Sequence, residues 1–317
     1  MPQRVSLTSQ EPIHTMSPIT VVIPTFNRAG KIAETLDALC GQTFQDFNVI
    51  VIDDGSTDNT VELLQSKKEN LSYPLDIILQ QNSGASAATN NGITKAGSGL
   101  IILLDDDIIA APDMIQKHFD FHSHHHDSIL SGTAETDPDR SITDVQRYKW
   151  YMEQQWKKIR PLKECIKVNF DNFIITTANM SFPYVIFKLT GGFDTSLRDG
   201  YDVDFGFRAL LKNIPLYFDT NVKSIHNDQI NLRYYARRQK AYTQSKKIIF
   251  TKFPELKGKY KTDFELRISP AKVIVYYFLR SKPSVLFFES NFFAKVFPKF
   301  IRYRVYGSTI AALSLKN

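Results

Sequence analysis

Residues 100–107 read LIILLDDD, an apolar run that ends in the three carboxylates Asp105, Asp106 and Asp107. A short, continuous apolar run is typical of a buried strand. Neighbouring carboxylates raise one another's pKa unless a cation or hydrogen-bond donors intervene. Proteins usually hold Mg²⁺ with one or two carboxylates, and substrate phosphate oxygens complete its shell. The stretch therefore predicts a strand whose end forms a metal-assisted, nucleotide-using site.

The chain before this stretch alternates strand and helix patterns. Apolar runs at 19–23, 47–52 and 75–79 predict three further strands, while helical spacing at 28–40 and 86–96 predicts helices between them. This alternation is typical of a parallel sheet with crossover helices. Open sheets of this kind bind ligands outside the carboxyl ends of their strands. The fold class is therefore predicted to be α/β, with the site at the strand ends.

Charge divides the chain into unlike parts. Residues 1–232 hold 20 Lys and Arg against 29 Asp and Glu, a net charge of −9, whereas residues 233–317 hold 19 against 4, a net charge of +15. From residue 231 the chain is helical, basic and aromatic in pattern, which predicts an acidic partner for this part. We divide the chain into a flexible leader, an α/β domain and a helical C-terminal region, at 1–17, 18–230 and 231–317.

Composition indicates a globular protein of a reducing compartment. Hydrophobic residues make up 43% of the 317 residues, which is enough for a full core. Cys40 and Cys165 are far apart and lack the spacing of a zinc site. Residues 1–17 are polar and show no secretory signal. We therefore expect a cytoplasmic protein.

Five motifs follow one another in order. They are VVIPTFNR (21–28), QTF (42–44) with VIDDGSTD (51–58), NSG (82–84) with NNG (90–92), DDD (105–107), and GGFD (191–194) with DVDFGFR (202–208). Together they resemble glycosyltransferase family 2, and the resemblance covers about residues 18–230. It implies a GT-A fold, a nucleotide-sugar donor, Mn²⁺ or Mg²⁺ as cofactor, and inverting transfer.

The first strand ends in a turn formed by Pro24, Thr25, Phe26 and Asn27, which we expect to hold the nucleobase. Phe26 offers a stacking face, although ordinary core packing is an alternative. Asp54 follows the next strand, where the resemblance places a contact to uracil. This favours a UDP-sugar, but Asp53 and Asp54 could instead cap a turn. Asn82 completes the predicted donor-binding residues outside the aspartate triplet.

The resemblance divides the roles of the triplet. It makes Asp107 the metal ligand, while Asp105 and Asp106 contact the ribose or the donor sugar. The alternative for Asp107 is to cap the next helix. His226 follows a predicted strand, and many GT-A enzymes place a metal-binding histidine at a comparable position. We predict that it is a metal ligand, with a structural role as the alternative.

Asp202 is the predicted catalytic base. Inverting transfer needs a group that takes the proton of an acceptor hydroxyl as it attacks the anomeric carbon. Family members usually carry Glu-Asp here, whereas this chain has Tyr201 before Asp202. Asp204 is the fallback base, and helix capping is the alternative role of Asp202. Arg208 is predicted to form an internal ion pair with Asp204.

Two further regions have open interpretations. The histidines at 118, 122 and 124–126 could bind a transition metal, but we expect a solvated helix end. The basic, aromatic residues of the last 47 positions fit interfacial helices at an anionic membrane surface. Packing on the catalytic domain and nucleic-acid binding are the alternatives, and we expect no nucleic-acid partner.

The resemblance and the basic, aromatic tail together imply an inverting glycosyltransferase in cell-surface glycan synthesis, peripheral at the inner face of the cell membrane. Its acceptor is expected to be a glycan or a lipid-linked glycan. One rival function is a polyprenyl-phosphate sugar synthase, in which a lipid phosphate attacks. The other is a catalytically inactive scaffold that binds nucleotide sugars.

Overall fold

The computed structural model describes residues 18–159, 164–256 and 270–315. The predicted leader at 1–17 lies outside them. The first part alternates strands and helices, as the sequence predicts, and the predicted bounds of the third and fourth strands coincide with those observed. Its elements are β1 (Ile19–Thr25), α1 (Ile32–Cys40), β2 (Phe47–Asp53), α2 (Thr60–Lys68), β3 (Leu75–Leu79), α3 (Ala85–Ala96) and β4 (Leu100–Leu104).

These four strands form the parallel part of an eight-stranded sheet. β1 pairs in parallel with both β2 and β4, and β3 pairs with the other side of β2. Thr25 at the end of β1 lies opposite Asp53 at the end of β2. The carboxyl ends of these strands therefore meet at one edge, where open sheets bind ligands.

The second part of the sheet is mixed. Its elements are β5 (Ile108–Ala110), α4 (Met114–His124), β6 (Ile129–Ser131), α5 (Asp144–Ile159), β7 (Ile166–Val168), β8 (Asn179–Pro183), α6 (Tyr184–Thr190), α7 (Tyr201–Leu211), β9 (Leu216–Phe218) and β10 (Ser224–His226). The strand order is β3-β2-β1-β4-β8-β6-β9-β7, and β5 and β10 form a separate antiparallel ribbon. β8 runs antiparallel to both of its neighbours. Parallel pairs still outnumber antiparallel ones in the large sheet, which confirms the predicted fold class.

The central strands are buried on both faces. Val22 and Ile52 pack into one hydrophobic cluster, whereas Val21 and Ile23 pack into another. Burying one such side chain contributes about 1.5–3 kcal/mol, so strands covered on both faces are continuous apolar runs. A Cβ on Gly92 of α3 would clash with Ile52 and Val22. Glycine at this position therefore lets α3 lie directly on the sheet.

The C-terminal region is helical, as predicted. Its helices are α8 (Leu232–Lys252), α9 (Pro270–Leu279), α10 (Lys282–Phe288), α11 (Asn291–Val296) and α12 (Lys299–Ser314), and a short 3₁₀ turn spans Pro254–Leu256. A third hydrophobic cluster joins several of these helices to α5 through residues that include Tyr148, Leu232, Val285, Phe293 and Tyr306. Part of the aromatic tail therefore packs on the rest of the protein.

Another part of the tail is apolar and exposed. The exposed fraction is 75% for Ile274, 62% for Phe292 and 74% for Phe300. Of the helices that the structure describes, none has the length and apolarity that crossing a membrane requires.

The expectation that the histidine-rich stretch is solvated is wrong for two of its members. His118 and His122 of α4 are buried against β8. Ser181 Oγ lies 2.7 Å from His118 Nδ1 and 2.8 Å from His122 Nε2, and Asn179 Oδ1 lies 2.8 Å from His118 Nε2. Burial lowers the pKa of His118 to about 4 and that of His122 to about 3. Both are therefore neutral structural residues, whereas His124 is exposed as expected.

Candidate active site

Three side chains that can bind a metal lie together beyond the end of β4. Oxygens of Asp105 and Asp107 and a ring nitrogen of His226 lie within 4.8 Å of one another. The β5–β10 ribbon produces this arrangement, because it pairs His226 with Ile108, the residue after Asp107. The N–H of Asn227 also donates a 2.8 Å hydrogen bond to the carbonyl of Asp107. Two short strands thus bring the triplet and the late histidine together.

The electrostatics of this cluster suit a cation. Burial and the charge of Asp107 raise the pKa of Asp105. Burial would also raise the pKa of Asp107, but His226 Nε2, 3.1 Å away, holds it below its usual range. In return Asp107 raises the pKa of His226 against the effect of burial. Two carboxylates and an imidazole fit a divalent cation that keeps positions for phosphate oxygens.

The predicted helix-capping alternative for Asp107 is wrong. Asp107 is followed directly by β5, and α4 begins only at Met114. Its carboxylate instead faces His226 and Arg28. The structure therefore brings Asp107 and His226 together with Asp105, and their binding of a metal stays a prediction.

Asp106 makes different contacts from its two neighbours. Thr25 Oγ1 donates a 2.7 Å hydrogen bond to Asp106 Oδ2, and Arg28 Nε lies 3.4 Å from Asp106 Oδ1. Thr35 Oγ1 donates a 3.0 Å hydrogen bond to the Asp106 carbonyl. Burial raises the pKa of Asp106 to about 7, although Arg28 opposes the shift. Asp106 thus holds the loop after β1, and its contact with the donor stays a prediction.

Arg28 links that loop to the metal cluster and to α8. Its guanidinium lies 3.4 Å from Asp106 and 3.6 Å from Asp107. Tyr234 of α8 is its hydrogen-bond partner. Burial works to lower the pKa of Arg28, but the charges of Asp106 and Asp107 and the contact with Tyr234 raise it. No role was predicted for Arg28, and its place at the end of the first motif was the only signal.

The turn after β1 presents an aromatic ring to solvent. Phe26 is 44% exposed, so the predicted core-packing alternative is wrong. Asn27 adopts a left-handed φ of 54°, and its Oδ1 accepts a 2.8 Å hydrogen bond from the N–H of Thr57. Pro24 and Thr25 end β1 directly before it. The turn is therefore held to the loop after β2, with the Phe26 ring available for stacking on a base.

The carboxylates after β2 are largely used inside the protein. Asp54 accepts a 2.7 Å hydrogen bond from a side-chain amide and 2.8 Å hydrogen bonds from the N–H groups of Ser83 and Gly84. An ionised carboxylate has about four lone-pair sites, so roughly one remains for a base. Asp53 accepts two hydrogen bonds from the following turn, as the capping alternative predicts. Asn82 is exposed beside Ser83.

Asp202 lies in the first turn of α7 and lines the same cavity as Asp105 and His226. Burial, with the charge of Asp105, raises the pKa of Asp202 to about 6, although a 2.8 Å hydrogen bond from the N–H of Val203 opposes the shift. Such a value suits a general base that works near neutral pH. Gly200 occupies the position that caps α7, so the capping alternative for Asp202 is wrong.

The neighbours of Asp202 have partners of their own. Arg208 Nη2 lies 2.6 Å from Asp204 Oδ2, which confirms the predicted ion pair and engages the fallback base. Asp204 is also only 1% exposed. Tyr201 is hydrogen-bonded to Thr177, and burial raises the pKa of its hydroxyl. Tyr201 therefore lines the cavity where family members usually carry glutamate.

Helix α8 forms one wall of this cavity, whose volume is about 560 Å³. Tyr234, Arg238 and Tyr242 are spaced i, i+4 and i+8, so they share one face of the helix. Burial works to lower the pKa of Arg238, but both tyrosines, Asp199 and Asp105 together raise it. Part of the predicted basic tail therefore belongs to the site. The helical spacing of these three residues was the one sequence signal for it.

Comparison with known proteins decides the family. The family model described as "Glycosyl transferase family 2" matches residues 20–182, just over half of the chain. The chain belongs to glycosyltransferase family 2. Asp202, His226 and Arg238 of this glycosyltransferase lie outside the matched segment, so their place in the site rests on the geometry.

Curated relatives share part of the chain. Validoxylamine A glucosyltransferase from Streptomyces hygroscopicus subsp. jinggangensis (strain 5008) is 28% identical over 229 residues, which cover 62% of this chain and 52% of the relative. Poly-beta-1,6-N-acetyl-D-glucosamine synthase from Staphylococcus aureus (strain MSSA476) is 35% identical over 95 residues, which cover 30% of this chain and 23% of the relative. The chain thus spans about half the length of the first of these relatives, and less of the second.

Solved structures share the fold over nearly the whole chain. The mannosyltransferase PcManGT from Pyrobaculum calidifontis, in complex with GDP-Man and Mn²⁺, has a TM-score of 0.64 and 16% identity, and covers 96% of this chain and 88% of its own. S. aureus TarS 1–349 in complex with UDP has a TM-score of 0.55 and 16% identity, and covers 94% and 89%. The fold is GT-A, as the motifs implied.

Proposed function

We propose that this glycosyltransferase moves a hexosyl or N-acetylhexosaminyl group from a nucleotide sugar to a hydroxyl of a saccharide or lipid-linked saccharide. The transfer inverts the anomeric carbon and serves cell-surface glycan synthesis. One observation carries the proposal, which is that Asp202 shares a cavity with Asp105 and His226 of the metal-binding cluster. The proposed proton acceptor and the proposed site for the leaving diphosphate thus line one cavity.

The donor is proposed to bind between the loops after β1 and β2 and the metal cluster. Asp105, Asp107 and His226 would hold Mn²⁺ or Mg²⁺, which stabilises a departing diphosphate as a Lewis acid. Arg28 and Arg238 add fixed positive charge beside the cluster. The proposed donor-binding residues are Pro24, Thr25, Phe26, Asn27, Asp54, Asn82, Asp105 and Asp106. UDP is the proposed nucleotide because of Asp54, and TarS was solved with UDP.

The proposed chemistry is a single displacement. Asp202 accepts the proton of the acceptor hydroxyl while that oxygen attacks the anomeric carbon. The bond from this carbon to the diphosphate breaks, and its electron pair leaves with the nucleoside diphosphate. Attack opposite the leaving group inverts the carbon. Because the pKa of Asp202 is raised only to about 6, its carboxylate is mostly ionised at pH 7 and can accept a proton.

The rival functions differ in what they require of Asp202. A polyprenyl-phosphate sugar synthase uses a phosphate as the attacking group and needs no base. The buried carboxylate of Asp202 in the cavity therefore favours a hydroxyl acceptor. An inactive scaffold is suggested only by Tyr201, which stands where family members usually carry glutamate.

A thermal-shift screen tests the donor proposal. The full chain is heated with a panel of UDP- and GDP-sugars, with either Mn²⁺ or EDTA present. A ligand at about 100 times its Kd stabilises the folded state by roughly 2.7 kcal/mol, so we expect a UDP-sugar to raise Tm only with the metal. If no nucleotide sugar changes Tm, the proposed function is wrong. A larger shift with GDP-sugars would reject UDP alone.

We further propose that the enzyme works in the cytoplasm at the inner face of the cell membrane. Exposed apolar side chains of α9–α12 lie in a region of net charge +15. Interfacial helices combine such rings and cations at anionic headgroups. Cys40 and Cys165 are both free thiols, which fits a reducing compartment.

Vesicle flotation tests this placement with a matched pair of variants. Ile274 in α9 and Ile142, outside the C-terminal helices, are both 75% exposed. We expect the full chain to float with phosphatidylserine vesicles, Ile274→Glu to float less, and Ile142→Glu to float as the unchanged protein does. Equal flotation of the two variants, or no flotation of the unchanged protein, would reject the membrane surface.

A further inference from the structure

A second cavity of about 750 Å³ lies against the active-site cavity. Its walls come from α5, α8 and α12. The two cavities share four lining residues, which are Glu153, Trp156, Tyr235 and Gln239. Both volumes are within the range of about 300–1,000 Å³ that is typical of small-molecule sites. The two cavities therefore adjoin each other at these side chains, and together we call them the groove, which extends from Asp202 to the end of α12.

We propose that this groove binds the acceptor as an extended saccharide chain. The reacting sugar would lie at Asp202, and the sugars behind it would lie past Trp156 and between α8 and α12. The proposal rests on the proposed transfer to a saccharide hydroxyl. It adds that the enzyme recognises several sugar units of the acceptor in addition to the one that reacts.

The chemistry of the lining fits sugar rings. Trp156 and Met152 are each 40% exposed, so they offer apolar faces to the groove. Gln239, Thr243 and Gln244 add amide and hydroxyl groups. A sugar has apolar C–H faces and hydroxyl edges, and both can be satisfied here at once. These polar residues are exposed, and a lipid chain in the same place would cover them without offering hydrogen-bond partners, which costs free energy.

The charge and the rigidity of the cavity walls also favour a saccharide chain as the ligand. Two lysines and one glutamate line the second cavity, so a neutral or weakly anionic chain fits it. The walls are held in place by packing of α12 on α5 and α8, where Ser314 Oγ donates a 3.1 Å hydrogen bond to the Ala236 carbonyl. A Cβ on Gly307 would lie 3.0 Å from Tyr148 Oη, which shows how closely α12 approaches α5. The groove is thus formed before a ligand binds.

A matched pair of threonines on α8 allows a direct test. Thr243 and Thr251 are both exposed, and each donates a 2.9 Å hydrogen bond to the carbonyl four residues earlier. Thr243 lines the second cavity, whereas Thr251 lines neither. Thr243→Trp fills the groove with a large ring at an exposed helix position, and Thr251→Trp makes the same change outside it. Circular dichroism verifies that both variants fold.

The probe is an array of immobilised oligosaccharides of graded length, incubated with the nucleotide sugar selected by the thermal-shift screen. We expect the unchanged protein and Thr251→Trp to label long members at least about tenfold more than single sugars. Thr243→Trp is expected to lose this preference. If Thr243→Trp retains it, or the unchanged protein labels all lengths equally, the groove does not bind the acceptor chain.

Two further arms separate the groove from its surroundings. The same saccharides attached to a polyprenyl-diphosphate anchor test whether the enzyme recognises the sugars or the anchor. Labelling that depends on the anchor and not on saccharide length overturns the proposal. If neither the unchanged protein nor the variants transfer sugar, the proposed function is wrong. The groove is then tested by measuring which glycans of the array bind each protein in the absence of a donor. Glycans that bind the unchanged protein but not Thr243→Trp would support the proposal for the groove. Equal binding of the two proteins, or no binding by either, would overturn it.

Discussion

Two groups of aspartates near the site differ in what they face. The loop carboxylates accept hydrogen bonds or an ion pair from the end of β1 and from the loops after β1, β2 and β3, and they are Asp53, Asp54 and Asp106. The site carboxylates face His226 or the active-site cavity, and they are Asp105, Asp107 and Asp202.

The difference shows that an aspartate is not a catalytic residue merely because it follows a strand. A carboxylate that accepts two or more contacts from loop N–H and O–H groups is held as part of the loop and has less capacity left for a ligand. A site carboxylate with at most one such donor retains lone pairs for a cation or a proton. The site carboxylates should therefore control chemistry, and the loop carboxylates should control stability.

The largest effect is expected at Asp202. Asp202→Asn keeps the shape of the side chain but cannot accept the acceptor proton. We expect kcat to fall by about 10²–10⁴-fold, the usual scale for a general base, while the affinity for UDP with Mn²⁺ is unchanged. Steady-state kinetics and calorimetry measure the two quantities. Near-normal turnover in this variant would remove Asp202 from the role.

A substitution of Asp107 tests the predicted metal-binding role of the site carboxylates. Losing an outer-shell partner of a metal site already costs about 10–100-fold in affinity, so Asp107→Asn should weaken UDP binding in Mn²⁺ by at least about tenfold. With EDTA the variant and the unchanged protein should bind UDP alike, because no metal is then involved. Calorimetry showing equal affinities in Mn²⁺ would contradict the assignment.

The buried side chain of His122 allows a test of how the stability of the protein depends on pH. Burial lowers the pKa of His122 to about 3 in the folded state, against about 6.5 when unfolded. The unfolded chain therefore binds the extra proton, and stability that is fully present above about pH 6.5 is lost as the pH falls toward 3. We expect His122→Gln to reduce the slope of unfolding free energy against pH by about 1.4 kcal/mol per unit between pH 6 and 4. Equal slopes in urea unfolding would show that His122 titrates normally.

A loop carboxylate should give the smallest effect on activity. Asp54→Asn replaces one acceptor oxygen by an amide that faces an N–H donor of the loop before α3. We expect the free energy of unfolding to fall by about 1–3 kcal/mol, the cost of an unsatisfied buried group. Asp53→Asn serves as a matched change in the same turn. Because only about one lone pair of Asp54 is left for the base, the affinity for UDP should fall less than in Asp107→Asn. If Asp54→Asn instead abolishes UDP binding at unchanged stability, the two groups of carboxylates are not distinct.

Local patterns predicted the first half of the molecule well. β3 and β4 have their predicted bounds because continuous apolar runs are a local signal. The register that aligns Thr25 with Asp53 follows from parallel pairing, so the meeting of the strand ends was predictable too. The family resemblance added the predicted metal-binding roles of Asp107 and His226, and the geometry brings these two residues together.

Contacts between distant parts of the chain explain the features that the sequence did not predict. The ribbon that places His226 consists of two three-residue strands, too short for a periodic signal. His118 and His122 are buried because β8 supplies Ser181 and Asn179 from a distant part of the chain. Arg238 joins the site because α8 packs beside it, whereas the sequence showed only a basic helix.

The central claim is that Asp105, Asp107 and His226 hold the metal of the donor opposite Asp202. Crystals grown with UDP and Mn²⁺ test it through an anomalous difference map recorded near the manganese edge. We expect one peak in contact with all three side chains and with the diphosphate. A peak bound elsewhere, or bound UDP without any peak at these residues, would contradict the account.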